Sequence, residues 1–260
     1  MIKKFMVDYP GVDGFSKRKA YVYLPKSYEK SDKEYPVLYC FDCHNVFYDK
    51  DATFGRSWRL GQYLDKNNID LIVAGIECNK DDMNRMSEYC PFDIQISKKV
   101  KCDVHLIEGK GDETFNWYIN VLKKMIDEQY RTLKDRQHTY LLGSSMGGIM
   151  TTYGILKYND VFSKGAALSP AYQVGAAKMM EIVKKYQVKE DTTLYTDYGT
   201  DDLDVKYAMK QFVKVNDALI KQGVNVTSRV VYKGIHNEAS WQKQLPLAIY
   251  TLMYDEKIER

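Results

Sequence analysis

Gly143-Ser144-Ser145-Met146-Gly147-Gly148 lies between His138-Thr139-Tyr140-Leu141-Leu142, a run of strand composition, and Ile149 to Leu156, apolar enough for a packed helix. A strand, a G-x-S-x-G turn and a helix in that order form a nucleophile elbow, which lifts a serine hydroxyl off the end of a buried strand. Glycines two before and two after Ser145 meet a steric need, because side chains there collide across so sharp a turn. Moving the frame to Ser144 puts Leu142 and Met146 at those positions. Ser145 is therefore the candidate nucleophile.

Outward from the elbow, strand and helix patterns alternate. Ala20 to Leu24, Pro36 to Phe41 and Leu71 to Ile76 read as strands. A helix from about Phe115 to Tyr130 puts Tyr118, Val121, Leu122, Met125 and Ile126 on one face. Beyond the elbow come a strand at Gly165 to Leu168, a helix at Ala176 to Lys185 and a strand at Thr193 to Tyr198. The next helix, Val205 to Lys221, aligns Val205, Ala208, Met209, Phe212 and Leu219. Val226 to Tyr232 reads as the last strand, and Ser240 to Tyr254 as a closing helix that Pro246 should kink. This alternation predicts an α/β fold, a mostly parallel central sheet with helices on both faces. The 260 residues suit a single domain over 1–260, and no linker, repeat or low-complexity stretch divides them.

Lys+Arg 38 against Asp+Glu 35 is near balance, which gives no electrostatic case for nucleic acid or an anionic membrane. Lys98, Lys99 and Lys101 read as a solvated loop face. Asp8 and Pro10 follow the first residues where a secretory signal needs an apolar stretch, and no run approaches membrane-spanning length. Five cysteines at irregular spacing suit reduced thiols, and so a cytoplasmic protein. Cys40-Phe41-Asp42-Cys43-His44 fits the C-x-x-C-H haem pattern, but that reading needs an exported context, and Cys40 sits inside a buried strand. A zinc finger lacks its second ligand pair. The expectation is no metal and no cofactor, with both cysteines structural and Cys43 near the site.

In an α/β-hydrolase the order is serine, acid, histidine. Of His44, His105, His138 and His236, only His236 follows Ser145, in the loop Lys233 to Asn237 between the last strand and the last helix. The acid belongs after the strand ending at Tyr198, where Asp201, Asp202 and Asp204 all stand. Asp204 could cap the following helix, and order does not separate Asp201 from Asp202. An oxyanion hole needs two backbone N–H groups. One is that of Met146, at the positive end of the following helix. The other comes from the loop Asp42-Cys43-His44-Asn45.

Beyond the elbow, several stretches carry a resemblance. They are Tyr23-Leu24-Pro25 with Tyr35 to Tyr39, Arg85 to Pro91, Tyr130-Arg131-Thr132, Ser169-Pro170, Gly199-Thr200-Asp201-Asp202, and His236-Asn237 with Trp241. Over roughly residues 17 to 255 the chain resembles the esterase D-like esterases of the α/β-hydrolase superfamily, which include feruloyl and acetyl-xylan esterases, siderophore-ester hydrolases and S-formylglutathione hydrolases. The resemblance implies Ser145 as nucleophile, His236 as base and Asp202, fourth in G-T-x-[DE], as acid. It places the second oxyanion N–H at His44, with Cys43 the fallback, because Asp42-Cys43 stands where the family commonly has Asp-Gly. It makes Arg85, Glu88, Tyr89 and Trp241 candidates for shaping a pocket, against a purely structural ion pair and packing ring. The implied activity is a serine carboxylester hydrolase on small acyl or aryl esters, sugar-linked ones included, with a small-molecule ester as partner. An acyltransferase and a non-catalytic binding domain of the same fold are the alternatives. The segment Asn79 to Asp112 is expected to overhang the site with Tyr89, Phe92 and His105, and the oligomeric state is left open.

Overall fold

A computed structural model describes residues 1–96 and 105–254; the lysines at 98, 99 and 101 lie outside these. The strands are β1 (Ile2–Gly11), β2 (Gly14–Tyr23), β3 (Val37–Cys40), β4 (Ile72–Ile76), β5 (Ile94–Gln95), β6 (Leu106–Ile107), β7 (Thr139–Ser144), β8 (Lys164–Leu168), β9 (Thr193–Gly199) and β10 (Asn225–Val231). The helices are α1 (Leu60–Asn67), α2 (Asp82–Glu88), α3 (Gly111–Trp117), α4 (Lys124–Gln129), α5 (Met146–Lys157), α6 (Ala176–Lys185), α7 (Val205–Lys221) and α8 (Glu238–Met253). Eight strands form one sheet in the order β1-β2-β4-β3-β7-β8-β9-β10, and β5 pairs with β6 separately. From β4 to β10 every pairing is parallel; β2 runs antiparallel to both β1 and β4.

Alternation along the strands divides the core in two. Val22, Val37, Tyr39, Ala74, Leu141 and Ala167 face one cluster, roofed by Phe115, Leu122, Ile149, Met150, Met179 and Phe212. Tyr21, Leu38, Cys40, Val73, Leu142 and Leu168 face the other, roofed by Leu60 and Leu64 of α1 and by Leu245, Ala248 and Ile249 of α8. Helices therefore cover both faces, as the alternating pattern predicts.

Two local readings change. The ten-residue β1, with α1 and α2, joins the expected elements. The expected helix near Phe115 to Tyr130 contains a π segment, Tyr118–Lys123, between α3 and α4. Wider winding there turns Val121 outward, 45% exposed, while Tyr118, Leu122 and Ile126 stay buried. β10 is an edge strand and mostly exposed, and α8 continues through Pro246. Parallel pairing brings the segments after β3, β4, β7, β8, β9 and β10 to one end of the sheet, the end where ligands bind in open α/β sheets.

Candidate active site

Ser145 follows β7 with φ 55° and ψ −118°, a strained conformation that begins α5. A Cβ on Gly143 would lie 2.4 Å from the Gly147 carbonyl oxygen, so the crossing of strand and helix requires glycine there. The Ser145 N–H donates to the Leu168 carbonyl (3.0 Å), and the Ser145 carbonyl accepts from the Ala171 N–H (3.1 Å). The turn is thus fastened to the end of β8. The first N–H groups of α5, that of Met146 among them, have no carbonyl within their own helix.

After β3, Asp42 takes the left-handed conformation (φ 50°) and begins a single 3₁₀ turn, Cys43–Asn45. That turn is closed by Asn45 N–H to Asp42 O (2.9 Å) and Val46 N–H to Cys43 O (3.2 Å), which leaves the N–H groups of Cys43 and His44 outside the closure. Glycine at position 43 is unnecessary here, because the positive φ falls on Asp42. A Cβ on Gly75 would lie 2.8 Å from that of Cys43, so Gly75 of β4 supplies the room for the Cys43 side chain. A Cβ on Gly147 would lie 3.0 Å from that of Phe41, which puts this loop against the elbow.

The segments after β9 and β10 meet at a second glycine contact. A Cβ on Gly199 would come within 2.1 Å of the Gly234 carbonyl oxygen, and the Asp201 N–H donates to that same oxygen (3.0 Å). His236 Nδ1–H donates to Asp202 Oδ1 (2.7 Å), which also accepts from the Leu203 N–H (2.7 Å). Asp202 is buried, while Asp201 is exposed and accepts from Thr200 Oγ1. Asp204 occupies the N-cap position of α7 without a capping hydrogen bond. Burial alone would raise the Asp202 carboxyl, but the hydrogen bond and charge of His236 outweigh it and hold that carboxyl below the usual range. Asn237 caps α8 by accepting from the Ser240 N–H (2.9 Å), which sets where the helix begins beside His236. Trp241, one turn on, stands edge-on to the imidazole at 5.0 Å and donates its indole N–H to Ser169 Oγ (3.1 Å).

Ser145, His236, His44, Arg85 and Trp241 line one cavity of about 780 Å³, together with Asn79, Glu77 and Glu238. Ser145 Oγ and His236 share it without a hydrogen bond between them, a contact that often tightens only when substrate is bound. Arg85 grips Asp42 with two bonds of 2.8 Å. Burial alone would raise the Asp42 carboxyl, but the Arg85 charge and these bonds hold it below the usual range.

Glu88 and Tyr89, expected in the pocket, do not line it. Glu88 forms a buried two-bond pair with Arg18 of β2, 2.9 and 3.2 Å, because α2 turns that face toward the sheet. Tyr89 is buried beneath the loop, where its hydroxyl accepts from the Asp42 N–H (3.2 Å). From the described part of the segment at 79–112, only Asn79, Lys80, Asp82 and Arg85 reach the cavity; Phe92 packs on Gly175 and His105 is exposed.

Asp197, on β9 beneath the site, stands in the sequence as a lone charge inside the strand run Thr193 to Tyr198. It is 2% exposed and accepts from the Ser169 N–H (3.2 Å). Burial pushes its carboxyl up to about 7, against the pull of the Ser169 N–H, Tyr195 and Arg229; the charge of Asp202 adds to the rise. The folded chain keeps this proton to about pH 7, whereas the unfolded chain releases it near pH 4, so stability falls across that window as pH rises. Asp197→Asn removes the titration. Its stability relative to wild type is expected to climb by up to about 4 kcal/mol between pH 4 and 7, read by urea unfolding at several pH values. A difference independent of pH would overturn this.

Against known proteins, the model of a family described as "Putative esterase" matches residues 15–252. YbbA of Bacillus subtilis (strain 168), described as uncharacterized, is 22% identical over 210 residues, 79% of each chain. Among solved structures, a ferulic acid esterase aligns with TM-score 0.68 and 20% identity, over 98% of this chain and 100% of that one. An IroE-like serine hydrolase from Shewanella oneidensis aligns with TM-score 0.75 and 19% identity, over 95% and 79%. These likenesses establish the α/β-hydrolase fold. Among the described residues, no helix is long and apolar enough to cross a membrane.

Proposed function

The chain belongs to this esterase family and is a carboxylesterase-type hydrolase, and on that premise we propose a cofactor-independent serine esterase that works through an acyl-enzyme. His236 takes the proton of Ser145, whose oxygen attacks the ester carbonyl. The amides of Met146 and His44 hold the oxyanion, and Asp202 keeps the imidazole in its tautomer and balances its charge. His236 then gives its proton to the leaving alcohol and activates the water that releases the acid. The observation that carries this reading is the 2.7 Å bond from His236 to Asp202 at the cavity that Ser145 also lines.

The substrates are small acyl or aryl esters, sugar-linked ones included. The exposed Phe54 lines the cavity and offers a flat apolar surface to such groups, and the buried Trp241 borders it. The unpaired Cys40, Cys43, Cys78 and Cys90 suit a reducing compartment, the cytoplasm. A fluorophosphonate probe is expected to label the chain once, at Ser145, with loss of p-nitrophenyl acetate hydrolysis in proportion to labelling. Absence of labelling would revive a non-catalytic binding domain.

A further inference from the structure

The end of the sheet holds a second group of chemistry-bearing side chains that the ester reaction does not use. β3 and β4 are parallel neighbours, so the segments that follow them lie side by side. That juxtaposition brings together Asp42 and His44, after β3, and Cys78, after β4. One ligand atom from each lies within 4.8 Å of the other two.

The imidazole of His44 is the informative member. Its Nε2 bonds Thr53 Oγ1 at 2.8 Å, while its Nδ1 is fully buried and has no partner. With the proton on Nε2 and donated to Thr53, the buried Nδ1 keeps a bare lone pair. Metal-binding histidines are held in this way, one ring nitrogen fixed by a hydrogen bond and the other turned to the ion. Both Asp42 oxygens bond Arg85, and Asp42 also accepts a hydrogen bond from the Cys78 thiol, so the two ligand side chains already meet.

We propose that Asp42, His44 and Cys78 form a binding site for Zn²⁺ or a similar borderline ion, and that its occupation inhibits the esterase. One nitrogen, one sulfur and one oxygen suit Zn²⁺ in tetrahedral geometry, with a water as fourth ligand, and do not suit Mg²⁺. Binding converts the Cys78 thiol to thiolate and releases its proton to solvent. The Arg85 guanidinium, fixed beside Asp42, repels the incoming cation, so the site is weak and reversible. The site differs from the finger-like one rejected from the C-x-x-C-H stretch, because Cys40 and Cys43 take no part. Inhibition, which rests on the proposed role of the His44 amide, follows because an ion on that residue's ring holds the loop facing Ser145.

The test is a titration of the chelator-treated protein with Co²⁺ and then with Zn²⁺. Wild type is expected to bind one Co²⁺ with the thiolate charge-transfer band of a sulfur ligand, and Zn²⁺ to displace it. Cys78→Ser should lose that band and weaken Zn²⁺ inhibition of p-nitrophenyl acetate hydrolysis by about tenfold or more, the scale of losing a metal-site group. Mg²⁺ should neither bind nor inhibit. A Co²⁺ spectrum without the charge-transfer band, or a Cys78→Ser protein that behaves as wild type, would overturn the proposal. If Cys78→Ser does not fold, the wild-type spectrum still decides it. The metal readout needs no turnover, so failure of this site and failure of the esterase reading are separable.

Discussion

Ser145→Ala is expected to lose on the order of a millionfold in kcat toward a p-nitrophenyl short-chain ester, the scale of losing the serine in a serine hydrolase. In the proposed mechanism, loss of Oγ removes the acyl-enzyme and leaves only uncatalysed attack by water within the cavity. The fold should be unaffected. Among the described residues no hydrogen bond ends on Ser145 Oγ, whereas its backbone is held at Leu168 and Ala171. Thermal denaturation should therefore place the variant within about 1 kcal/mol of wild type. Wild-type turnover with intact structure would remove Ser145 from the mechanism.

The second large effect separates two adjacent carboxylates. Asp202→Asn should lower kcat by about a thousandfold to ten-thousandfold, and Asp201→Asn should leave it within a few-fold. Either orientation of the new amide fails. With its oxygen toward His236 it offers no charge to the imidazolium; with its nitrogen there it forces the imidazole into the other tautomer. The exposed Asp201 carboxylate accepts from the neighbouring threonine hydroxyl, so its neutral analogue changes nothing that touches the imidazole. Equal losses in both variants would take Asp202 out of the acid's role. Because Asp202 is held below the usual carboxylate range, the stability it contributes is present above about pH 4 and disappears as pH falls through its folded-state pKa.

The chain announced its parallel core and its candidate nucleophile through features that depend on near neighbours: apolar runs, a glycine two residues from a serine, and the order of histidines. What it concealed depends on distant contacts. On β1, Lys4, Met6 and Asp8 share one exposed face, and Lys3 interrupts the opposite face of Phe5, Val7 and Tyr9, which dilutes the apolar alternation. Val121 points outward because the π segment shifts the register of a helix that reads as regular. Glu88 follows Arg85 at helical spacing and invites pairing with it, yet each finds its partner elsewhere, Arg18 on β2 and Asp42 after β3. Asp201 and Asp202 differ in chemistry only through burial and through the contact of Gly199 with Gly234, which no local pattern encodes.

The docking of α8 bears on when, during synthesis, the molecule becomes a catalyst. The elbow and the β3 loop leave the ribosome well before His236, and Trp241, which braces the imidazole and anchors on Ser169, comes later still. Leu245, Ala248 and Ile249 of the same helix close one face of the core. Sealing that face and bringing His236 to the cavity are thus one folding event, so on the proposed mechanism a nascent chain carries the Ser145 hydroxyl inert until α8 has emerged.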